Sequence, residues 1–377
     1  MYIVSLRYQK TYNLKEVKDS LGKILSESWG KFSSLRRGDL ILLKPNLLSA
    51  KAPKTAVITH PIVLEALIQL LLDKGCKIIL GDSPAIQRFT TVAKKAGLLP
   101  LQKRYSVRLQ ELDDPVEVKG IKNGIFKSFE ISRHCLESNY FINVAKFKTH
   151  SMMGLTLCVK NLFGCVPGKK KTAWHLAIGK DRKLFARMLS ELAAVLPVDF
   201  NVIDGIVGME GNGPGNGTPV NLNVLLGGEN AAAIDTVAGR IVGISPNKSL
   251  TSRAAIEIDF GPKNEEEISI LGDRLPNHPF PFRFPETMRT DWHLPSVFKS
   301  LLRWAFLPLP KVDSARCKGC LNCKVVCPPG AIFVKDGKVS IKERLCIRCY
   351  CCQEVCPEDA ILFTRKTGRK DVKYNLF

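Results

Sequence analysis

The chain has 377 residues, 45% of them hydrophobic, enough to bury one large core or two unequal ones. Its formal net charge of +21, from 56 Lys and Arg against 35 Asp and Glu, points to an acidic partner, an anionic ligand or nucleic acid. No apolar run approaches the roughly 18–20 residues that cross a bilayer, and no helix-turn-helix or RNA-recognition signature accompanies the basic residues, which argues against a nucleic-acid binder.

The first residues, Met1-Tyr2-Ile3-Val4-Ser5-Leu6-Arg7, read as a β-strand and not as a secretory signal with its charged start and long apolar core. Residues 39–43 read as a buried strand. Apolar residues at Ile62, Val63, Ala66, Leu67, Leu70 and Leu71 give 61–74 a helical period, which Gly75 closes. Residues 77–80, 140–144, 200–203 and 222–226 are further strands, and 184–196 is a helix that stops at Pro197. This alternation over residues 1–273 predicts an α/β fold, a mostly parallel sheet flanked by helices.

In open parallel sheets the ligand lies beyond the carboxyl ends of the strands, so the polar residues after each apolar run carry information. They are Lys44-Pro45-Asn46, then Gly81-Asp82-Ser83-Pro84, then Lys146-Phe147-Lys148-Thr149-His150. The last set is Asp204-Gly205 with Gly208-Met209-Glu210-Gly211-Asn212-Gly213-Pro214. One such residue alone is more simply a structural cap; four segments converging on one rim predict a shared site. The glycine-rich stretch 205–217 has neither a Walker-type Gly-Lys-Ser/Thr nor a helix-opening G-x-G-x-x-G, and predicts a close approach to a ligand or a mobile loop. Lys160 through Lys171, ending near His175, reads as a basic lid suited to a carboxylate or phosphate. Within it Cys165 is more simply a buried structural thiol than a redox partner, and Cys76 and Cys158 read as core residues.

Residues 274–310 break the pattern with seven prolines and form a linker, in which 297–307 could be a short amphipathic helix that docks the next segment or touches a membrane surface. Beyond it, eight of the 13 cysteines form two copies of C-x2-C-x2-C-x3-C-P. Cys317, Cys320, Cys323 and Cys327 make the first copy, and Cys346, Cys349, Cys352 and Cys356 the second, 29 residues later. This is the bacterial ferredoxin run, in which the fourth cysteine of each copy ligates the other cluster. The expected sets for two [4Fe–4S] clusters are therefore Cys317, Cys320, Cys323, Cys356 and Cys346, Cys349, Cys352, Cys327. Structural zinc prefers separated C-x-x-C pairs, and a disulfide framework belongs to secreted chains. Cys351 is left outside both sets. Residues 311–364 are thus expected to be a small α+β two-cluster ferredoxin-like domain, followed by a basic tail, 365–377. Oxygen-sensitive clusters and unpaired thiols point to a reducing cytoplasm.

The motifs Lys44-Pro45-Asn46, Gly81-Asp82-Ser83, Lys146-x-Lys148-Thr149-His150, Lys160-Asn161-x-Phe163-Gly164, Pro167-Gly168-Lys169 and Asp204-Gly205-x3-Met209-Glu210-Gly211, with Asp235, resemble the family called domain of unknown function 362. The resemblance covers about residues 1–260, and many members of that family carry a C-terminal ferredoxin domain. It implies iron–sulfur electron transfer and leaves the substrate open. The chain is also distantly similar to the N-terminal domain of nickel-dependent lactate racemases, but lacks the paired histidines expected for a metal-pincer cofactor.

Two functions follow as expectations. In the first, an oxidoreductase passes low-potential electrons to an anionic substrate or cofactor held by Lys44, Asn46, Lys146, Lys160 and Asn161, with Lys148, His150, Asp82 and Glu210 as catalytic groups. In the second, the chain is a non-catalytic carrier or cluster-handling protein that binds a partner. An acidic redox partner suits the basic ferredoxin segment in both.

Overall fold

The computed structural model describes residues 1–285, 287, 308–335 and 337–364. The expected helix at 297–307, much of the linker and the basic tail lie outside the described residues.

The body is built on a nine-stranded sheet. In chain order its strands are β1 (Tyr2–Tyr8), β2 (Leu40–Pro45), β3 (Lys77–Asp82) and β4 (Arg108–Glu111). After a separate hairpin of β5 (Pro115–Lys119) and β6 (Ser128–Ser132) come β7 (Tyr140–His150), β8 (Gly154–Thr156), β9 (Phe200–Glu210), β10 (Thr218–Gly228) and β11 (Ile268–Gly272). The order across the sheet is β11-β1-β10-β9-β7-β2-β3-β4, with β8 paired to β7. Strands β4, β3, β2, β7 and β9 run parallel; β10 is antiparallel to β9 and β1, and β11 is parallel to β1. The expected α/β architecture is present, with β10 reversed within the sheet and the short β8 antiparallel at the end of β7. A run such as 222–226 encodes burial but not direction, so that reversal is not visible in sequence.

Alternation along β2 shows how the two faces are filled. Ile41 and Leu43 join a core with Leu21, Leu64 and Leu67 from helices Leu14–Ser28 and Pro61–Leu72. Leu42 joins the opposite core, with Phe185, Leu189 and Ile234 from helices Arg182–Val195 and Ala231–Ile241. Asn13 caps the first helix, Asp181 the third and Asn230 the fourth, each accepting from a free backbone N–H of the first turn. Strand β2 leads to β3 on one side and abuts β7 on the other, so the strand order reverses between β2 and β7 and a crevice opens at their carboxyl ends.

Strands β7 and β9 run well past the apolar runs that announced them. Segments 146–150 and 204–210 are thus strand and not loop, because pairing with β8 and β10 continues beyond the apolar residues.

The C-terminal module is small. Strand β12 (Leu309–Val312) pairs with β15 (Ile361–Thr364), and β13 (Ile332–Lys335) with β14 (Lys338–Ile341), all antiparallel. One-turn helices Asn322–Val325 and Cys351–Glu354 complete it. The cysteine repeat is also a repeat of backbone: Gly319 and Arg348, Leu321 and Tyr350, and Gly330 and Asp359 form pairs 29 residues apart, all six with positive φ. No helix among the described residues is long and apolar enough to cross a membrane.

Candidate functional site

Two small cavities lie inside the module, about 20 Å³ each. Cys317, Cys320, Cys323 and Cys356 surround one, with Leu321, Val339 and Ile361. Cys327, Cys346, Cys349 and Cys352 surround the other, with Cys351 as a fifth cysteine and Ile332, Ile341 and Ile347. Each therefore draws three thiols from one copy of the motif and the fourth from the other. The crossing cysteines are held alike: Ala331 N donates to Cys327 Sγ (3.1 Å) and Ala360 N to Cys356 Sγ (3.2 Å). Four thiols in an aliphatic shell, with amide donors on sulfur, form a donor set that fits a [4Fe–4S] cluster.

A third cavity, of about 100 Å³, lies where the carboxyl ends of β2, β3 and β7 meet this module. Lys44, Asn46, Asp82, Lys148, His150, Lys160 and Asn161 line it from the body, as do Lys171 and His175. Cys351, Glu354 and Val355 line it from the second cysteine run. Its floor is rigid. Asp82 accepts from Leu47 N (2.7 Å) and Ser83 N (2.9 Å) and pairs with Lys44 Nζ (2.9 Å). A side chain at Gly164 would collide with that carboxylate and that ammonium, so glycine is required there by close approach. Lys148 Nζ donates to Asn46 Oδ1 (2.6 Å) and Val57 O (2.7 Å). Asn46 Nδ2 donates to Asn161 Oδ1, Asn161 Nδ2 to Asn143 Oδ1 and Asn143 Nδ2 to Asn201 Oδ1, each at 2.8 Å. Asn201 Nδ2 ends the row on Glu229 O (2.9 Å).

The free chemistry faces inward. His150 Nδ1 accepts from Met152 N (3.0 Å), which puts the ring proton on Nε2. That Nε2 lies 3.2 Å from Glu354 Oε1, without the alignment of a good hydrogen bond. Burial, helped by Lys160, holds His150 well below its usual value, and burial raises Glu354. Burial also depresses Lys148 and Lys171, each to about 7, and lowers Lys160. Lys171 Nζ donates to Ser83 O. Lys160 Nζ stands 4.9 Å from the Phe163 ring centroid and has no hydrogen-bond or salt-bridge partner among the described residues.

Two expected site residues fall elsewhere. Lys146 sits one pleat deeper on β7 and is bound to Asp204 (2.7 Å) and Tyr12 Oη (2.9 Å) under the Tyr12–His60 stack. Glu210 is carried past the cavity by β9 and clasped by Arg283 N (2.9 Å) and Nε (2.6 Å). Neither lines the cavity, so neither can touch a ligand there. The glycine-rich stretch brings Pro214 to the cavity and also docks the cysteine module. Gln353 Nε2 donates to Asn212 O (2.6 Å), Asn216 Nδ2 to Gln353 O (2.9 Å), and Ser151 Oγ to Gln353 Oε1 (3.3 Å). Lys51 Nζ adds a bond to Pro357 O (2.9 Å). Cys165 is fully buried and is a hydrogen-bonding neighbour of Cys135. The sequence places Lys171 and His175 only in a basic lid, and gives no role to Cys351 or Glu354. The signal for Glu354 was present, since the first copy of the motif has Val325 in its place.

The family described as domain of unknown function (DUF362) matches residues 41–240, and the family described as 4Fe-4S dicluster domain matches residues 309–357. A thylakoid-associated protein of Synechocystis sp. is 35% identical over 300 residues, which cover 78% of this chain and 88% of that protein. Among solved structures, the lactate racemase apoprotein of Thermoanaerobacterium thermosaccharolyticum superimposes with a TM-score of 0.43 at 14% identity, over 65% of this chain and 58% of that one. The chain belongs to the family of the domain of unknown function (DUF362), and its C-terminal part is a 4Fe-4S dicluster domain.

Proposed function

We propose that the chain is an iron–sulfur electron-transfer protein acting as an oxidoreductase. Cys317, Cys320, Cys323 and Cys356 hold one [4Fe–4S] cluster, and Cys346, Cys349, Cys352 and Cys327 the second. Their chemistry is one-electron transfer at low potential. The acceptor is an anionic substrate or cofactor in the cavity at the strand ends. One observation carries this reading: Cys351, Glu354 and Val355, interleaved with the ligands Cys349, Cys352 and Cys356, form a wall of that cavity.

The body's residues then bind and protonate. Lys148 and Lys160 hold the anionic group, and Asn46 and Asn161 fix Lys148. Lys44 is locked by Asp82, so Asp82 positions and is not a proton carrier. His150 donates from Nε2, with Glu354 as its neighbour. Electrons arrive at the outer cavity, where Cys320 is exposed, from an acidic partner drawn by the positive chain. On this reading the functional units are 1–273, 274–310, 311–364 and 365–377, and the protein works in a reducing cytoplasm.

Anaerobic purification tests this. About eight irons and eight sulfides per chain, and paramagnetism on reduction, are expected. Small molecules released on denaturation are identified by mass spectrometry and added back to the reduced protein. Reoxidation of the clusters by that compound, lost in Lys148→Met at unchanged iron content, supports the reading; retained reoxidation removes Lys148 from the site. A non-catalytic carrier is the second reading, favoured by the exposure of Cys320 and Val325, and it predicts reduction without turnover. The thylakoid association of the relative makes a membrane surface one place to look for that partner.

A further inference from the structure

The charges facing the cavity do not balance. Lys44, Lys148, Lys160 and Lys171 oppose only Asp82 and Glu354. Lys44 and Asp82 cancel in their 2.9 Å pair. With both histidines neutral, three ammonium groups then face one carboxylate, an excess of two positive charges. Low-dielectric sites offset such an excess with counterions; a cluster held by Cys346, Cys349, Cys352 and Cys327 would supply part of that negative charge behind the wall, and a ligand would supply it inside the cavity.

The bonds left open agree with the charge. Lys148 is held by two carbonyl oxygens, and Lys171 by one. Lys160 donates to nothing among the described residues. His175, only 6% exposed, stacks on Phe185 at 4.6 Å and leaves its buried Nδ1 without a partner among the described residues. Buried polar atoms of native proteins are nearly always satisfied. An unpaired ammonium and an unpaired imidazole nitrogen on one wall therefore mark where ligand atoms go.

We propose that the cavity takes a small dianion, a short dicarboxylate or a phosphate, anchored by Lys160 and His175 and neutralised by Lys148 and Lys171. This deepens the reading above by naming the charge and size of its substrate, and rests on that cavity being the substrate site. A volume of about 100 Å³ admits such a group and lies below the roughly 300–1,000 Å³ of sites for larger ligands.

The test uses the full, cluster-loaded chain under anaerobic conditions. Malonate, inorganic phosphate and acetate are titrated by calorimetry at neutral pH and constant ionic strength. Malonate or phosphate should bind at least about tenfold tighter than acetate. Which of the two binds tells a dicarboxylate from a phosphate site. Lys160→Gln should weaken the dianion roughly tenfold to hundredfold, whereas Lys170→Gln, in an exposed pair with Glu130, should not. His175→Phe gives the same reading if Lys160→Gln does not fold. Acetate binding as well as malonate and phosphate, undiminished binding in Lys160→Gln, or no binding of any probe overturns the proposal. Dianion binding without any turnover leaves this inference standing and ends the oxidoreductase reading. Turnover of a monoanion without dianion binding does the reverse.

Discussion

Val325 and Glu354 occupy one position in two copies of the same turn, yet Val325 is 71% exposed to solvent while Glu354 faces His150 at 3.2 Å. The copies share backbone geometry but not neighbours. The second copy has replaced apolar surface by a carboxylate where it meets the cavity. Glu354→Val, which restores the first copy's residue, should leave iron content intact and lower the basicity of Lys148, whose ammonium Glu354 favours. NMR titration of labelled lysine in the wild type and the variant checks this; an unmoved Lys148 would show that the carboxylate is electrostatically remote.

The crossing of the fourth cysteines predicts pairing among variants. Cys356→Ser should damage the same centre as Cys320→Ser, and Cys327→Ser the same centre as Cys346→Ser, because each pair shares one cavity. Paramagnetic resonance of the reduced proteins distinguishes the two classes. If Cys327→Ser instead resembled Cys320→Ser, the crossing would be wrong.

Gly164→Ala should destabilise the body by about 2–4 kcal/mol, since the added methyl overpacks the site and must part the Lys44–Asp82 pair. Denaturant melts report the loss. A melt within error of wild type would mean that the pair can shift at no cost.

Lys148 and Lys171 make stability depend on pH with a definite sign. Below about 7 both lysines are charged in the folded and unfolded chain, and contribute no slope. Above about 7 the folded chain sheds protons that the unfolded chain keeps up to its usual 10.5, so the unfolded state binds more protons and stability rises with pH. With two lysines the slope is at most about 2.7 kcal/mol per pH unit. Lys171→Met should roughly halve it in melts from neutral pH to the onset of thiol ionisation. A flat profile in the wild type would refute the depressed basicity.

Gln353→Ala removes two side-chain hydrogen bonds between the cysteine module and the body, a loss of about 1–3 kcal/mol in docking. Hydrogen exchange should quicken in residues 211–217 while cluster absorbance is unchanged. Unaltered exchange there would place the docking energy elsewhere.

The sheet, its helices and both cysteine sets were readable because each has a local signature, whether a period of two, a period of 3.6 or a fixed spacing. Lys44, Asp82, Lys148 and His150 line the cavity from positions just past apolar runs, where sequence places them. Lys146 was included by the same rule and lost because β7 continues beyond its apolar run: two residues along a strand is one pleat of depth, enough to bury Lys146 on Asp204. Glu210 was lost for the same reason on β9. Glu354 reaches the cavity only through tertiary packing, which no spacing records. The docking role of the glycine-rich stretch depends on Gln353, more than a hundred residues away.

The row of amides from Asn46 to Asn201 points one way. Every nitrogen is directed toward Glu229 and every oxygen back toward Lys148, so four dipoles present their negative end to one ammonium. No member can turn over without breaking its neighbour's bond, and aligned hydrogen bonds polarise one another. The proton on Lys148 is thereby sensed on β9, two strands from β2, and a substitution at Asn201 that touches no ligand would still alter how firmly that proton is held.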